Sequence, residues 1–124
     1  MMNSKRFIVE IGTGIDLHGE DFTKAACRAV KDAISKSCLC GLVEILGIED
    51  LNAVSVDIVV ASPKPEDVDL LQVEKMAPIG KKTVSSVNGG MRVAGLCVPN
   101  FATDCDQIVV ANAAVTVSIP ELKS

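Results

Sequence analysis

This sequence predicts an α+β fold, one mixed sheet with two helices on one face, and three observations carry that prediction. An apolar strand pattern runs through a glycine-rich loop into a strongly amphipathic helix within the first 37 residues. A second strand-then-helix pattern follows, punctuated by prolines. The last third of the chain is β-rich and helix-poor. The resulting order is β-α-β-α-β-β-β, over a single domain spanning residues 1–124.

Residues 6 to 12 read as the first strand. Phe7, Val9 and Ile11 fall on one side, and Arg6, Ile8 and Glu10 on the other. The first helix is expected from about Asp21 to Ser37. Phe22, Ala25, Ala26, Ala29, Val30, Ala33 and Ile34 recur at helical spacing as one stripe. Asp21 suits the N-cap, and Gly41 lies beyond the end. The segment from Gly41 to Asn52 reads as ordered loop or a short helical turn.

Val54 to Ala61 alternates as a strand, with Val54, Val56, Ile58 and Val60 inward and Ser55, Asp57 and Val59 outward. Pro63 and Pro65 end it, and a helix over about Glu66 to Met76 is expected, striped by Val68, Leu71 and Met76. Lys82–Val87 and Met91–Val98 flank Asn88-Gly89-Gly90, a hairpin signal. A polar loop spans Pro99 to Asp106. Gln107 to Ile119 is the last strand, with Val109, Ala111, Ala113, Val115, Val117 and Ile119 on one face. On this reading the uncovered sheet face carries Ile8, Glu10, Asp57 and Val59.

Composition narrows the classes. The chain is 48% hydrophobic with three Phe and no Trp or Tyr, so its core is aliphatic. So much aliphatic side chain on 124 residues predicts a homo-oligomer, trimer or larger, buried through the face bearing Ile8 and Val59. A net charge of −4 without a basic patch argues against nucleic acid. No apolar run reaches membrane-spanning length and no signal-peptide core precedes the first strand, which predicts a cytoplasmic protein. The five cysteines (Cys27, Cys38, Cys40, Cys97 and Cys105) show no disulfide framework and read as reduced thiols.

The chemistry-bearing segment is Gly12-Thr13-Gly14-Ile15-Asp16-Leu17-His18-Gly19. Gly12, Gly14 and Gly19 would let backbone approach a ligand, and Glu10 adds a carboxylate nearby. Asp16 and His18 are two apart, and His18 is the only histidine. The expectation is a small polar or anionic metabolite bound at this loop, ahead of a helix N-terminus. Asp16 and His18 would act as an acid/base pair or hold a divalent metal such as zinc, for hydrolysis or lyase chemistry. The alternative is a non-catalytic ligand-binding or assembly module in which Asp16 caps backbone amides. Two weaker constellations are Lys81-Lys82 with Ser85, Ser86 and Arg92, and the Cys38-x-Cys40 pair.

The Gly-x-Gly-x-Asp-x-His-Gly motif resembles the signature of a small conserved-hypothetical family, the listerial Lin family. The resemblance runs from about Phe7 to about Pro120, through the Thr23–Ile34 helix and Gly89-Gly90-Met91-Arg92-Val93. It implies no established activity. Asp-x-His after a first strand also resembles the zinc-binding start of the isoprenoid-pathway cyclodiphosphate synthases. That likeness implies a trimer with zinc on Asp16 and His18, but those enzymes use a further histidine that this chain lacks. The element order resembles the chorismate-mutase-like fold, seen also in YjgF-type trimers and a domain of tubulin-like proteins.

Overall fold

In the computed structural model, residues 4–95 and 107–120 are described; the expected Pro99–Asp106 loop, Cys97 and Cys105 lie outside them. Strand β1 (Ser4–Asp16) leads to helix α1 (Phe22–Ile34), then a short α2 (Cys40–Glu44) and strand β2 (Ser55–Ser62). Next come α3 (Leu70–Glu74), β3 (Lys81–Asn88), β4 (Met91–Ala94) and β5 (Gln107–Pro120). The five strands form one sheet in the order β1-β5-β2-β3, with β4 also on β5. β5 runs antiparallel to β1, β2 and β4, while β3 is parallel to β2. A mixed α+β sheet results, as expected.

α1 begins where the sequence places it. The Asp21 carboxylate accepts from the Lys24 amide at 2.9 Å, capping the first turn. It ends at Ile34, sooner than expected, with the Ser35 amide closing onto the Lys31 carbonyl. Its buried stripe of Phe22, Ala25, Ala26, Ala29, Val30 and Ala33 lies on β1 and β5. The core continues through Val54, Val56, Ile58 and Val60 of β2 and Val109, Ala111, Ala113, Val115 and Val117 of β5.

The phase of β1 is opposite to the expectation for the sheet faces. Ile8, Glu10, Gly12, Gly14 and Asp16 face the helices; Val9, Ile11, Thr13 and Ile15 face out. The cause is α1's closeness. A Cβ on Gly12 would fall on the Ala29 carbonyl and Ala33 amide, and one on Gly14 on the Ala25 carbonyl and Ala29 amide. Only glycine admits the helix backbone there, so the glycine pair fixes which residues of β1 point inward. A register shift between Arg6 and Ile8 accommodates Phe7, whose ring reaches Gly41 of α2.

Two further expectations change. The helix expected over Glu66–Met76 splits into a 3₁₀ turn (Pro65–Asp67) and α3, because Asp69 caps a new start by accepting from the Leu71 amide. Val73, not Leu71, is then the buried residue, and Leu71 is exposed. Asn88-Gly89-Gly90 is no hairpin either. β3 pairs with β2, and the turn carries the chain back so that β4 takes up β5 where β2 leaves off. The Gly89 amide donates to the Ser62 carbonyl at 3.0 Å, fixing that sidestep.

Candidate functional site

The Gly12–Gly19 segment places its residues in different surroundings. Gly12 and Gly14 lie under α1, so helix backbone fills the space a ligand would need. Asp16 is buried at 3% exposure. Its Oδ2 accepts from the Asp21 amide at 2.9 Å, and its Oδ1 lies 3.8 Å from the Arg28 guanidinium. That carboxylate therefore ties the end of β1 to the start of α1. His18 sits in the bend beyond the strand and is exposed, as is Gly19, whose φ is +91°. Next to them Glu20 pairs with Arg92 of β4 at 4.0 Å, and Arg92 stacks over the Phe22 ring at 5.3 Å.

Among the described residues no group of three or more His, Cys, Asp or Glu is placed to hold an ion. The Asp16 carboxylate already serves a backbone amide and an arginine. The Lys81/Lys82 constellation is also divided: strand alternation puts Lys81 and Ser85 on the open face, Lys82 and Ser86 on the covered one. Ser86 donates to the Pro65 carbonyl at 2.9 Å. Cys27, Cys38 and Cys40 are free thiols, Cys38 and Cys40 exposed. Burial, and then the carboxylates of Asp21 and Asp69, push the Cys27 thiol's pKa up.

Glu10, too, is not a solvated charge. It is buried at 7% exposure and borders a cavity of about 250 Å³. Ile34, Val56, Pro78, Ile79, Val115 and Val117 contribute apolar walls, and Ser37 donates to Glu10 Oε2. The opposite face of the sheet holds the second feature, a run of lateral rows. Ile15, Val110 and Met91 form one row; Ile11, Ala114 and Val59 form another. Between them Thr13 and Asn112 join by a hydrogen bond of 3.1 Å. Sequence patterning missed both features, since each depends on the phase of β1.

A guard along β1's free edge was also missed. Arg28 donates to the Ile15 carbonyl at 2.6 Å, the Asp32 carboxylate accepts from the Thr13 amide at 2.9 Å, and Lys36 donates to the Ile11 carbonyl at 3.0 Å. Their i, i+4, i+8 spacing was the available signal. Such side chains occupy the groups that would otherwise recruit another strand.

No helix among the described residues is long and apolar enough to cross a membrane. None of the curated proteins matches the chain. Among solved structures, an FtsZ-like protein of unknown function from Nostoc punctiforme is 40% identical. That match covers 98% of this chain and 100% of the other, with a TM-score of 0.88. The model of a conserved hypothetical family matches residues 6–117, and the chain belongs to that family, Lin0512.

Proposed function

We infer that this chain is a non-catalytic assembly module whose copies associate through the open face of the sheet. The observation that carries this reading is the apolar content of that face. Val9, Ile11 and Ile15 of β1, Val87 of β3, and Met91 and Val93 of β4 are each 42–56% exposed. With their neighbours they make a patch on the order of 500 Å², the upper end of what soluble monomers leave in one place.

A second copy is the occupant this chemistry suits. Stacking two sheets face to face places the Ile15–Val110–Met91 row against its own equivalent about a two-fold axis. The small side chains of Ala114 and Ala61 permit close approach. Edge-to-edge pairing is disfavoured along β1 by Arg28, Asp32 and Lys36. A tetramer or hexamer would add a second contact to this one, whereas a three-fold trimer would not contain it. In this reading Gly12, Gly14 and Asp16 shape the strand–helix junction, and turnover at Asp16 and His18 is not required.

Sedimentation at micromolar concentration tests it. The wild-type protein should run as a multiple of 13.0 kDa, and Ile15→Lys or Met91→Lys as a 13.0 kDa monomer with an unchanged circular-dichroism spectrum. A wild-type monomer, or a lysine variant that stays assembled, overturns the reading.

A further inference from the structure

We propose that the Glu10 cavity is a binding site for a small organic ammonium, a primary amine carrying an apolar body. It lies on the helix-covered face, away from the proposed interface, and stands independently of it. Glu10 is nine-tenths buried, and its one hydrogen-bond partner among the described residues is the Ser37 hydroxyl on Oε2. No sealed side-chain oxygen lacks a partner among the described residues, so Oε1 stays accessible and open to another donor. A buried carboxylate ordinarily takes a cation partner, because desolvation of the charge is otherwise uncompensated. None of the ion pairs among the described residues includes Glu10. Lys36, next to Ser37 in sequence, bonds the Ile11 carbonyl and Asp32, at 3.0 and 3.1 Å.

The cavity defines the rest of the ligand. Its walls include Ile34 at the end of α1, Val56 of β2, Pro78 and Ile79 after α3, and Val115 and Val117 of β5. A volume of about 250 Å³ is the space of roughly eight water molecules, enough for a short alkyl or a single-ring body. One carboxylate and one hydroxyl in an otherwise apolar wall make the pattern of a pocket that anchors one polar group and buries the remainder. The ammonium would donate to Glu10 Oε1 and to a lone pair of Ser37 Oγ, while the body replaces cavity water. Calcium or magnesium, which takes six or more oxygens, and zinc, which takes about four donors, are both poorly served by one carboxylate and one hydroxyl. A carboxylate ligand would meet like charge.

Titrations followed by methyl NMR, with n-hexylammonium, 1-hexanol and hexanoate as probes, test the site. Hexylammonium should shift the methyls of Ile34, Val56 and Ile79 and bind at least tenfold more tightly than either other probe. Glu10→Gln, close to isosteric, should abolish that preference while hexanol binding persists. Ser37→Ala, which keeps the charge, should weaken hexylammonium several-fold and leave hexanol unchanged. Equal binding of hexanol or hexanoate, an undiminished preference in both variants, shifts confined to other residues, or no binding at all would each overturn the assignment.

Discussion

The two faces of the sheet are built on opposite terms. The covered face trades side-chain volume for proximity: Gly12 and Gly14 meet Ala25, Ala29 and Ala33, and backbone lies nearly on backbone. The open face keeps its volume, with Ile, Val and Met projecting from the same strands. What separates them is a single residue of phase along β1. Close packing, unlike burial of generic aliphatic surface, tolerates no slip. The covered face therefore sets the register, and the open face displays whatever the alternate positions carry. Aliphatic residues persist there although the described residues do not bury them, which is the ground on which a second copy is proposed as the cover.

The sharpest way to break that comparison is to add one methyl group. Gly14→Ala puts a Cβ into the backbone of α1, so helix and strand must separate. Overpacking on this scale costs about 3 kcal/mol. Gly19→Ala has open space around it and meets only the strain of a positive φ, costing about 1 kcal/mol. Denaturant midpoints should fall in that order. If Gly14→Ala matches wild type, proximity of α1 is not what selects glycine, and ligand approach becomes the better account.

Asp16 and His18 sharpen the same contrast at the strand's end. Asp16→Ala strands the Asp21 amide and removes the carboxylate facing Arg28, a loss of about 1–3 kcal/mol. His18→Ala changes an exposed side chain and should cost less than Asp16→Ala. Chemical denaturation of the two variants separates a junction from an acid/base pair. Equal and negligible effects, together with a ligand lost in both, would restore the metabolite site expected from the motif.

Much of the architecture was legible because it rests on period. The alanine stripe from Ala25 to Ala33 and the alternation from Val109 to Val117 each name their buried face without help. β1 was not legible in that way, because both of its faces carry aliphatic residues. Phe7, Val9 and Ile11 outweigh Ile8 and two glycines on any hydrophobicity count. Its phase became decidable only once α1 was seen to need Gly12 and Gly14. Glu10 moved with it, from a solvated charge to the wall of a cavity. The Asn88-Gly89-Gly90 turn failed for a different reason. Turn chemistry reports a local reversal, but which strand takes up the edge of β5 beyond Ala61 is a tertiary matter.

The smallest expected effect concerns the guard over β1's free edge, where the two faces meet solvent. The Asp32 carboxyl is held below its ordinary value of 3.8, first by the Thr13 amide and then by Lys36. A carboxyl whose pKa is lowered on folding contributes stability above its unfolded value, and that contribution is lost as pH falls through the folded value. Asp32→Asn retains an oxygen for Thr13 but removes the charge. Its denaturation midpoint should lie slightly below wild type at about pH 6 and converge with it in acid below 3.8, as wild-type Asp32 takes up its proton. The deficit should shrink with added salt, since the site is exposed. An equal deficit at both pH values would mean that Asp32 guards the edge by hydrogen-bond geometry alone, with the charge contributing nothing.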